Sequence, residues 1–427
     1  MKKIFRKILK WILRLISGVI SLAFILMIIE YLNTVFYEFP EPVPFSGADF
    51  HNPYQGINEA NWKKANFHAH SRAWFGLTNG NDNPPERIEE VYGALEYDVF
   101  SISDYQRVND FLREKEFFIP GYEHGYNIKK THQLCIGSEG ATMLDYPLIQ
   151  SLHHKQHIIE LLAAKNQIVA LAHPKFSGGY KTEDLKYLTG YQLVEVLNNY
   201  RNSEAHWDSA LSAGHAVFLI ADDDSHDLNK LHEAGHHFTM INAPDVSMNS
   251  IVSALKEGKA YGVELKVDDK QTLEEKQQLH QTLPFLKSLE IESDTLIISL
   301  SAQATFIQFI GQGGIIKKTA ENSALAKYAL QPDDTYIRIK ALYGEEVGLY
   351  FNPVFRKGAT DPFEGFPSRN VFKTAIFRLI TIPVFVALMV ALIWRLFRGA
   401  GRGKSGRSSS SKKVKPSAKK KAGGKRK

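Results

Sequence analysis

Cysteine is almost absent from this chain. Of 427 residues only Cys135 carries a thiol, so no intrachain disulfide can form and a disulfide-stapled scaffold is excluded, although the compartment stays open. Acid is absent from the C-terminal stretch: from Arg395 to Lys427 there are fourteen Lys and Arg and no Asp or Glu. With Ser and Gly between the bases, that stretch reads as a disordered polycation. Long apolar runs are confined to two places, one near each end.

The first run, Leu15–Ile29 with its extension through Tyr37, comes after six bases in residues 1–14. With its flanks it suffices for one bilayer crossing. The chain then continues as Glu38-Phe39-Pro40-Glu41-Pro42 rather than as a small-residue cleavage site, so an uncleaved anchor is expected in place of a signal peptide. The second run, Leu379–Trp394, lies between Arg378 and Arg395. Both basic flanks belong on the cytoplasmic side. The expectation is a protein of the bacterial inner membrane, with both termini cytoplasmic and residues 38–374 periplasmic or otherwise extracytoplasmic. Removing the six and fourteen terminal bases from a total of 52 leaves 32 against 46 acids, or −14. The part between the anchors is therefore acidic despite the chain's overall +6. The tail itself reads as a positive-inside anchor attracted to anionic lipid headgroups, in preference to a nucleic-acid contact.

Between the anchors the pattern changes along the chain. Residues 38–62 are a Pro-rich spacer. From 63 to 265 short apolar runs alternate with amphipathic stretches. Strands are expected at Asn66–His70, Asp98–Asp104, Phe117–Glu123, His132–Gly137, Ile168–His173, Gln192–Asn198, Ala216–Asp222, Phe238–Asn242 and Tyr261–Leu265. Helices are expected at Pro85–Glu96, Tyr146–Lys165, Glu183–Leu188, Ser203–Ala213 and Ser247–Lys256. Such alternation predicts an α/β fold with a parallel sheet that can close into a barrel. A charged linker, 266–285, leads to residues 286–356, where short strands with turn signals predict a small antiparallel β-sandwich-like domain. A second linker, 357–374, leads to the transmembrane segment 375–397 and the tail 398–427; the first transmembrane segment is 15–37.

Chemistry gathers at the expected strand ends, where a βα-barrel carries its active site. His68 and His70, two apart on a strand, point the same way and can grip one ion. After them come Ile102-Ser103-Asp104, Pro120-Gly121-Tyr122-Glu123, His132, Ala172-His173-Pro174, Glu195-Val196-Leu197-Asn198 and Asp224-Ser225-His226. In order, this series resembles the polymerase-and-histidinol-phosphatase (PHP) family of metal-dependent phosphoesterases, over about residues 63–265. The resemblance implies a distorted (β/α)7 barrel with His68, His70, Glu123 and Asp224 on one metal, and Glu123, His132 and His173 on a second. Mixed His and carboxylate ligation suits Zn, Mn or Fe. In this reading Glu123 bridges the two ions. The family usually has a His after the Asp of the second strand, where this chain has Tyr105, and an acid or His soon after the HxH pair, where it offers Asn79 and Asp82. Those positions and His226 would serve a third metal in the family; with Tyr105 and Asn79 in place, two metals are expected.

Two cations in such a centre lower the pKa of a shared water and stabilise charge on a leaving oxygen. Arg72, Lys175 and Arg201 are the candidates to hold phosphate oxygens. The expected substrate is a phosphorylated small molecule or an envelope phosphodiester. Two other readings compete with this one. His232-Glu233-Ala234-Gly235-His236 fits the HExxH pattern of zinc proteases but contains Gly235 and runs straight into a strand. A barrel without its full metal set would serve as a binding or structural module. His153, His154 and His157 read as the polar face of a helix.

Overall fold

The structure is a computed structural model and describes residues 2–78, 83–266, 270–358 and 365–401. In chain order its elements are α1 (Lys2–Ile29), β1 (Tyr37–Glu38), β2 (Asp49–His51), β3 (Trp62–Asn66), α2 (Pro85–Ala94), β4 (Val99–Phe100), β5 (Gly121–His124), β6 (Gln133–Ser138), α3 (Leu152–Ala163), β7 (Asn166–Leu171), β8 (Leu193–Asn198), α4 (Glu204–Ser212) and β9 (Phe218–Asp222). They continue as β10 (His237–Asn242), α5 (Met248–Lys256), β11 (Ala260–Leu265), α6 (Leu273–Gln281), β12 (Leu286–Glu292), β13 (Thr295–Gly311), β14 (Ile315–Ala329), β15 (Tyr336–Tyr343), β16 (Val347–Lys357), β17 (Ser368–Arg369) and α7 (Val371–Gly401). Met1–Thr374 forms one compact unit and Ala375–Lys427 another.

Local chemistry sets several boundaries. Pro85 opens α2, where its fixed φ fits the first helical turn and its missing N–H costs nothing. Ser151 caps α3 by accepting from His154 N, and the His154 ring accepts from Ser151 N in return. Ser247 caps α5 in the same manner, accepting from Ser250 N.

The result is a mixed α/β fold built, among the described residues, on two large sheets and the two-stranded pair β1-β17. One large sheet has five strands in the order β5-β6-β7-β8-β9; the other has ten, along β12-β13-β15-β16-β11-β10-β3-β4 with β14 on β13 and β2 on β16. The expected parallel barrel is not realised as one regular ladder. Among the described residues only the strand pairs β3–β4, β7–β8 and β8–β9 are parallel, whereas β6 runs antiparallel to both β5 and β7. The connection from β5 to β6, residues 125–132, is too short for a helical crossover. That reversal matters for the site: it brings the start of β6 to the end of the sheet where β5, β7, β8 and β9 finish. Two isolated parallel bridges, Ala69 with Ser225 and Tyr105 with Glu123, link the sheets at that same end.

The expected separate sandwich is instead an extension of the larger sheet, because β16 pairs antiparallel with β11, Tyr261 opposite Phe351. Leu95, Phe238 and Tyr261 share one apolar cluster with Leu289, Ile298 and Phe351. Each such side chain contributes roughly 1.5–3 kcal/mol when fully buried. The expected linker 266–285 contains α6, whose Lys276 is buried, and the expected spacer 38–62 is packed down. There β2 pairs with β16, and the buried Tyr54 hydroxyl donates to Ala260 O at 2.6 Å. Glu183–Leu188 forms a 3-10 turn, Thr182–Lys186, in place of an α-helix.

Ile4–Asn33 and Val371–Trp394 are helices long and apolar enough to cross a membrane by length and composition. The segments beside them meet: β1 pairs with β17, and Asn370 N donates to Phe36 O. Both seat on α3. His153 Nδ1 accepts from Tyr37 N, His154 Nε2 lies 3.0 Å from Thr34 Oγ1, and Glu160 takes Tyr37 OH and Arg369. Of the three histidines read as a polar face, His153 and His154 thus tie down the chain where it leaves the first apolar helix, while His157 faces the Tyr146 hydroxyl.

Candidate metal centre

β3 stops at Asn66, so His68 and His70 lie just past the strand and not within it. The Ala69–Ser225 bridge keeps that segment extended, with His70 N donating to Ser225 O at 2.8 Å. The two imidazoles therefore still face one way. Glu123 comes from β5, His132 from the residue before β6, His173 from two residues beyond β7, and Asp224 from two residues beyond β9.

All six side chains are buried, and they form two groups that share Glu123. In the first, Nε2 of His68 lies 3.3 Å from Glu123 Oε2 and 3.2 Å from Asp224 Oδ1, while Nε2 of His70 lies 3.0 Å and 3.2 Å from the same oxygens. Ligand atoms arranged tetrahedrally about an ion at about 2.1 Å stand about 3.4 Å apart. These four atoms are placed at that spacing, yet none has a hydrogen bond of proper geometry among the described residues. Buried polar atoms without partners are costly, so converging ones call for a shared occupant. In the second group the other oxygen, Glu123 Oε1, lies 2.6 Å from His132 Nδ1 and 3.0 Å from His173 Nε2. The donor chemistry of both groups, and the spacing of the first, fit the binding of divalent metal.

The surrounding residues fix the ligands. Glu195 accepts from His68 Nδ1 at 2.8 Å, which leaves the Nε2 lone pair facing the cluster, and its other oxygen accepts from His173 N at 2.6 Å. Asn198 Nδ2 donates to Asp224 Oδ2 at 3.2 Å. The rings of Tyr105 and His226 lie against that of His70, each with centroids 4.4 Å away. His173 and Asp224 have positive φ, 28° and 53°. Strained backbone of this kind persists where the surroundings over-determine it, as at ligand clamps.

Electrostatics act in the same direction. Burial opposes charge on His68, but the carboxylates of Asp224, Glu195 and Glu123 outweigh it and raise its pKa well above the ordinary value. His70 and His173 are also raised against their burial, His70 mainly by the facing carboxylates of Asp224 and Glu123 and His173 mainly by Glu123. Glu123 would be raised by burial, yet His132 and His68 hold it well below the carboxylate range; Asp224 is lowered too, against burial, by His68 and His226. Both carboxylates are therefore ionised, and the positive charge they gather is what a dication would supply in exchange for protons.

Other expected site residues lie elsewhere. His226 is outside both groups: its Nδ1 faces Asp224 O at 2.9 Å and its Nε2 the Tyr105 hydroxyl at 3.4 Å, and burial, with His70 next, lowers its pKa to about 4. Asp104 is consumed structurally, accepting from Ser71 and Asn109. Arg72 and Lys175 are exposed, with no side-chain hydrogen bond or ion pair among the described residues, and Arg201 donates to Tyr200 O. Asn79 and Asp82 lie outside the described residues. The HExxH stretch forms no sustained helix: a 3-10 turn ends at Glu233, whose carboxylate accepts from His226 N and Asp227 N, and His236 Nε2 faces Lys276 at 2.9 Å. Its two histidines belong to no metal-holding group among the described residues.

Two features were not anticipated from sequence. Tyr105 packs as a ring on a ligand, and Asp223 binds the chain together by accepting from Asn66, Tyr92, Gly235, His236 and His237. The Asp222-Asp223-Asp224 run signalled charge there without separating the three roles.

No protein-family model matches the chain, and no curated protein does. Among solved structures, a two-domain protein from Bacteroides vulgatus containing a predicted PHP-like metal-dependent phosphoesterase is similar at a TM-score of 0.36 and 13% identity, over 78% of this chain and 99% of that one. So distant a likeness assigns no residue here.

Proposed function

We propose that this chain is a membrane-anchored, metal-dependent phosphoesterase. The observation that carries the reading is Glu123, whose two oxygens face two different buried donor sets. His68, His70, Asp224 and Glu123 would hold one ion, and Glu123, His132 and His173 the other. Zn, Mn or Fe bound there would supply Lewis acidity toward a phosphoryl oxygen and lower the pKa of a water between them.

The chain's own residues do the rest. Glu195 holds His68 in the tautomer that presents Nε2, and Asn198 orients Asp224. Tyr105 and Phe176 shield His70 and His173 from bulk water. The Tyr105 phenol keeps its proton, first through burial and then through Glu123 and Asp224. It can donate to a phosphate oxygen brought beside His70. Arg72 and Lys175, exposed next to ligands, are free to swing onto the ester's charged oxygens.

In this reading α1 and the helix from Val371 are the anchors, both basic flanks are cytoplasmic, and the domain is extracytoplasmic. The test is phosphate release from soluble mono- and diesters by the full chain in detergent, beside His68→Ala and His236→Ala. Metal-dependent release lost in His68→Ala and kept in His236→Ala supports the reading. Absence of release and of bound metal in the parent would assign the fold to a binding module.

A further inference from the structure

The segments on either side of the metal ligands carry large apolar side chains turned to the outside. After His70 come Trp74 and Leu77, both exposed, and Phe75, which is fully exposed. Trp74 and Phe75 both hold positive φ, 51° and 59°. That is an outlier conformation for bulky residues. Trp74 is pinned by Nε1 donating to Tyr105 O at 2.7 Å, so the segment is held in place with Phe75 pointing away from the core. Between Glu123 and His132, the hairpin tip exposes Tyr126 and Ile128 beside Lys129. The neighbouring loop exposes Met143 and Ile149.

A chain of contacts joins these segments to the end of the first apolar helix. Tyr31, just past α1, accepts from Leu148 N at 2.9 Å and donates to Ile149 O at 3.3 Å. Pro147 O accepts from Ile128 N at 3.0 Å. Lys130 Nζ lies 6.0 Å from the centroid of the Tyr105 ring, and Tyr105 stacks on His70. The path therefore runs from the anchor, along exposed apolar residues and Lys129–Lys130, to the rim of the metal centre. Aromatic and aliphatic side chains with lysines between them are the composition that settles into the headgroup region of a bilayer.

We propose that this rim rests in the surface of the membrane that α1 spans, and that the substrate is a phosphate ester carried on a lipid. The second half rests on the phosphoesterase reading; the first does not. In the reaction the water oxygen forms a new bond to phosphorus, the bond from phosphorus to the lipid alcohol's oxygen breaks, and a proton from water ends on that alcohol.

The test uses the full chain in phosphatidylcholine vesicles containing phosphatidic acid. Phe75→Cys, Ile128→Cys and, as a control on exposed β14, Leu325→Cys are labelled with a fluorophore and challenged with lipids carrying a quencher; Cys135 is buried and stays unlabelled. Quenching at positions 75 and 128 but not 325 is expected. Equal responses at all three, or burial of 75 and 128 that depends on protein concentration in detergent, would overturn the membrane seat, the latter assigning the rim to a second copy. In parallel, Phe75→Ser with Ile128→Ser should lower phosphate release from vesicle phosphatidic acid by about tenfold or more while p-nitrophenyl phosphate is hydrolysed as before. Release from p-nitrophenyl phosphate with none from phosphatidic acid would overturn the lipid substrate alone. Failure of both substrates in the parent, with quenching intact, would overturn the phosphoesterase reading and leave the seat standing.

Discussion

His68 and His70 are held by different means. His68 is fixed through Nδ1 by Glu195, whereas His70 has neither ring nitrogen in a hydrogen bond of proper geometry among the described residues and is held by ring contacts. Residues that orient a ligand typically account for about 10–100-fold in metal affinity. Glu195→Gln keeps the shape but turns an amide N–H toward the donor at His173 N, so its metal affinity should fall by about that factor. Competition with a chelating dye measures it, and an unchanged affinity would show that Glu195 only fills space. The clustered residues were legible in the sequence because all but His132, which precedes its strand, stand at or just past the end of an apolar run, where a reader of strands looks for chemistry. His226 misled for the same reason: it stands two residues after Asp224, but Asp224's left-handed backbone turns the chain so that His226 packs on His70 and faces Tyr105. Glu195 stood in the same ordered series, whereas the ring contact of Tyr105 carried no such signal, since an aromatic there looks like ordinary core.

At the scale of elements, the strands read from alternation nearly all exist, with ends shifted by a few residues, but their partners were not in the pattern. Periodicity tells which face of a strand is buried; it does not say that β16 will close on β11 or that β6 will reverse. The same holds for α4 and β15, which meet through a buried ion pair. Arg338 donates from Nε and Nη2 to Asp208, both at 2.7 Å, and reaches Glu204 at 3.0 Å. Removing one partner of a buried pair costs about 3–5 kcal/mol because the other charge is stranded. Arg338→Met should therefore destabilise by about that amount in a denaturant titration, and Arg338→Met with Asp208→Leu should recover a large part of it.

The contact of β3 with α6 predicts a dependence on pH. Lys64 Nζ is buried, donates to Leu95 O at 2.7 Å and faces His280; burial, only partly offset by Asp223, Glu96 and Asp98, lowers its pKa from 10.5 to about 7. Above about 7 the folded chain releases a proton that the unfolded chain keeps up to 10.5. Stability therefore rises with pH across that window and is lost as pH falls through it. Thermal unfolding should show the rise in the parent and a flatter profile in Lys64→Met; equal slopes would contradict the burial of a neutral lysine.

For the whole molecule, the overall charge of +6 conceals an acidic body between basic ends. The division comes from where the bases sit, and the paired segments β1 and β17 bring the chain on either side of the body back to α3. Such an arrangement suits a domain worked from a membrane surface. The function proposed for that domain rests on the centre it carries. Elemental analysis of the purified full chain measures that centre directly: two divalent transition ions per chain are predicted, one for each donor group, with both lost in Glu123→Gln and both kept in His226→Ala. A parent chain that binds no such ion, or a Glu123→Gln variant that keeps two, would contradict it.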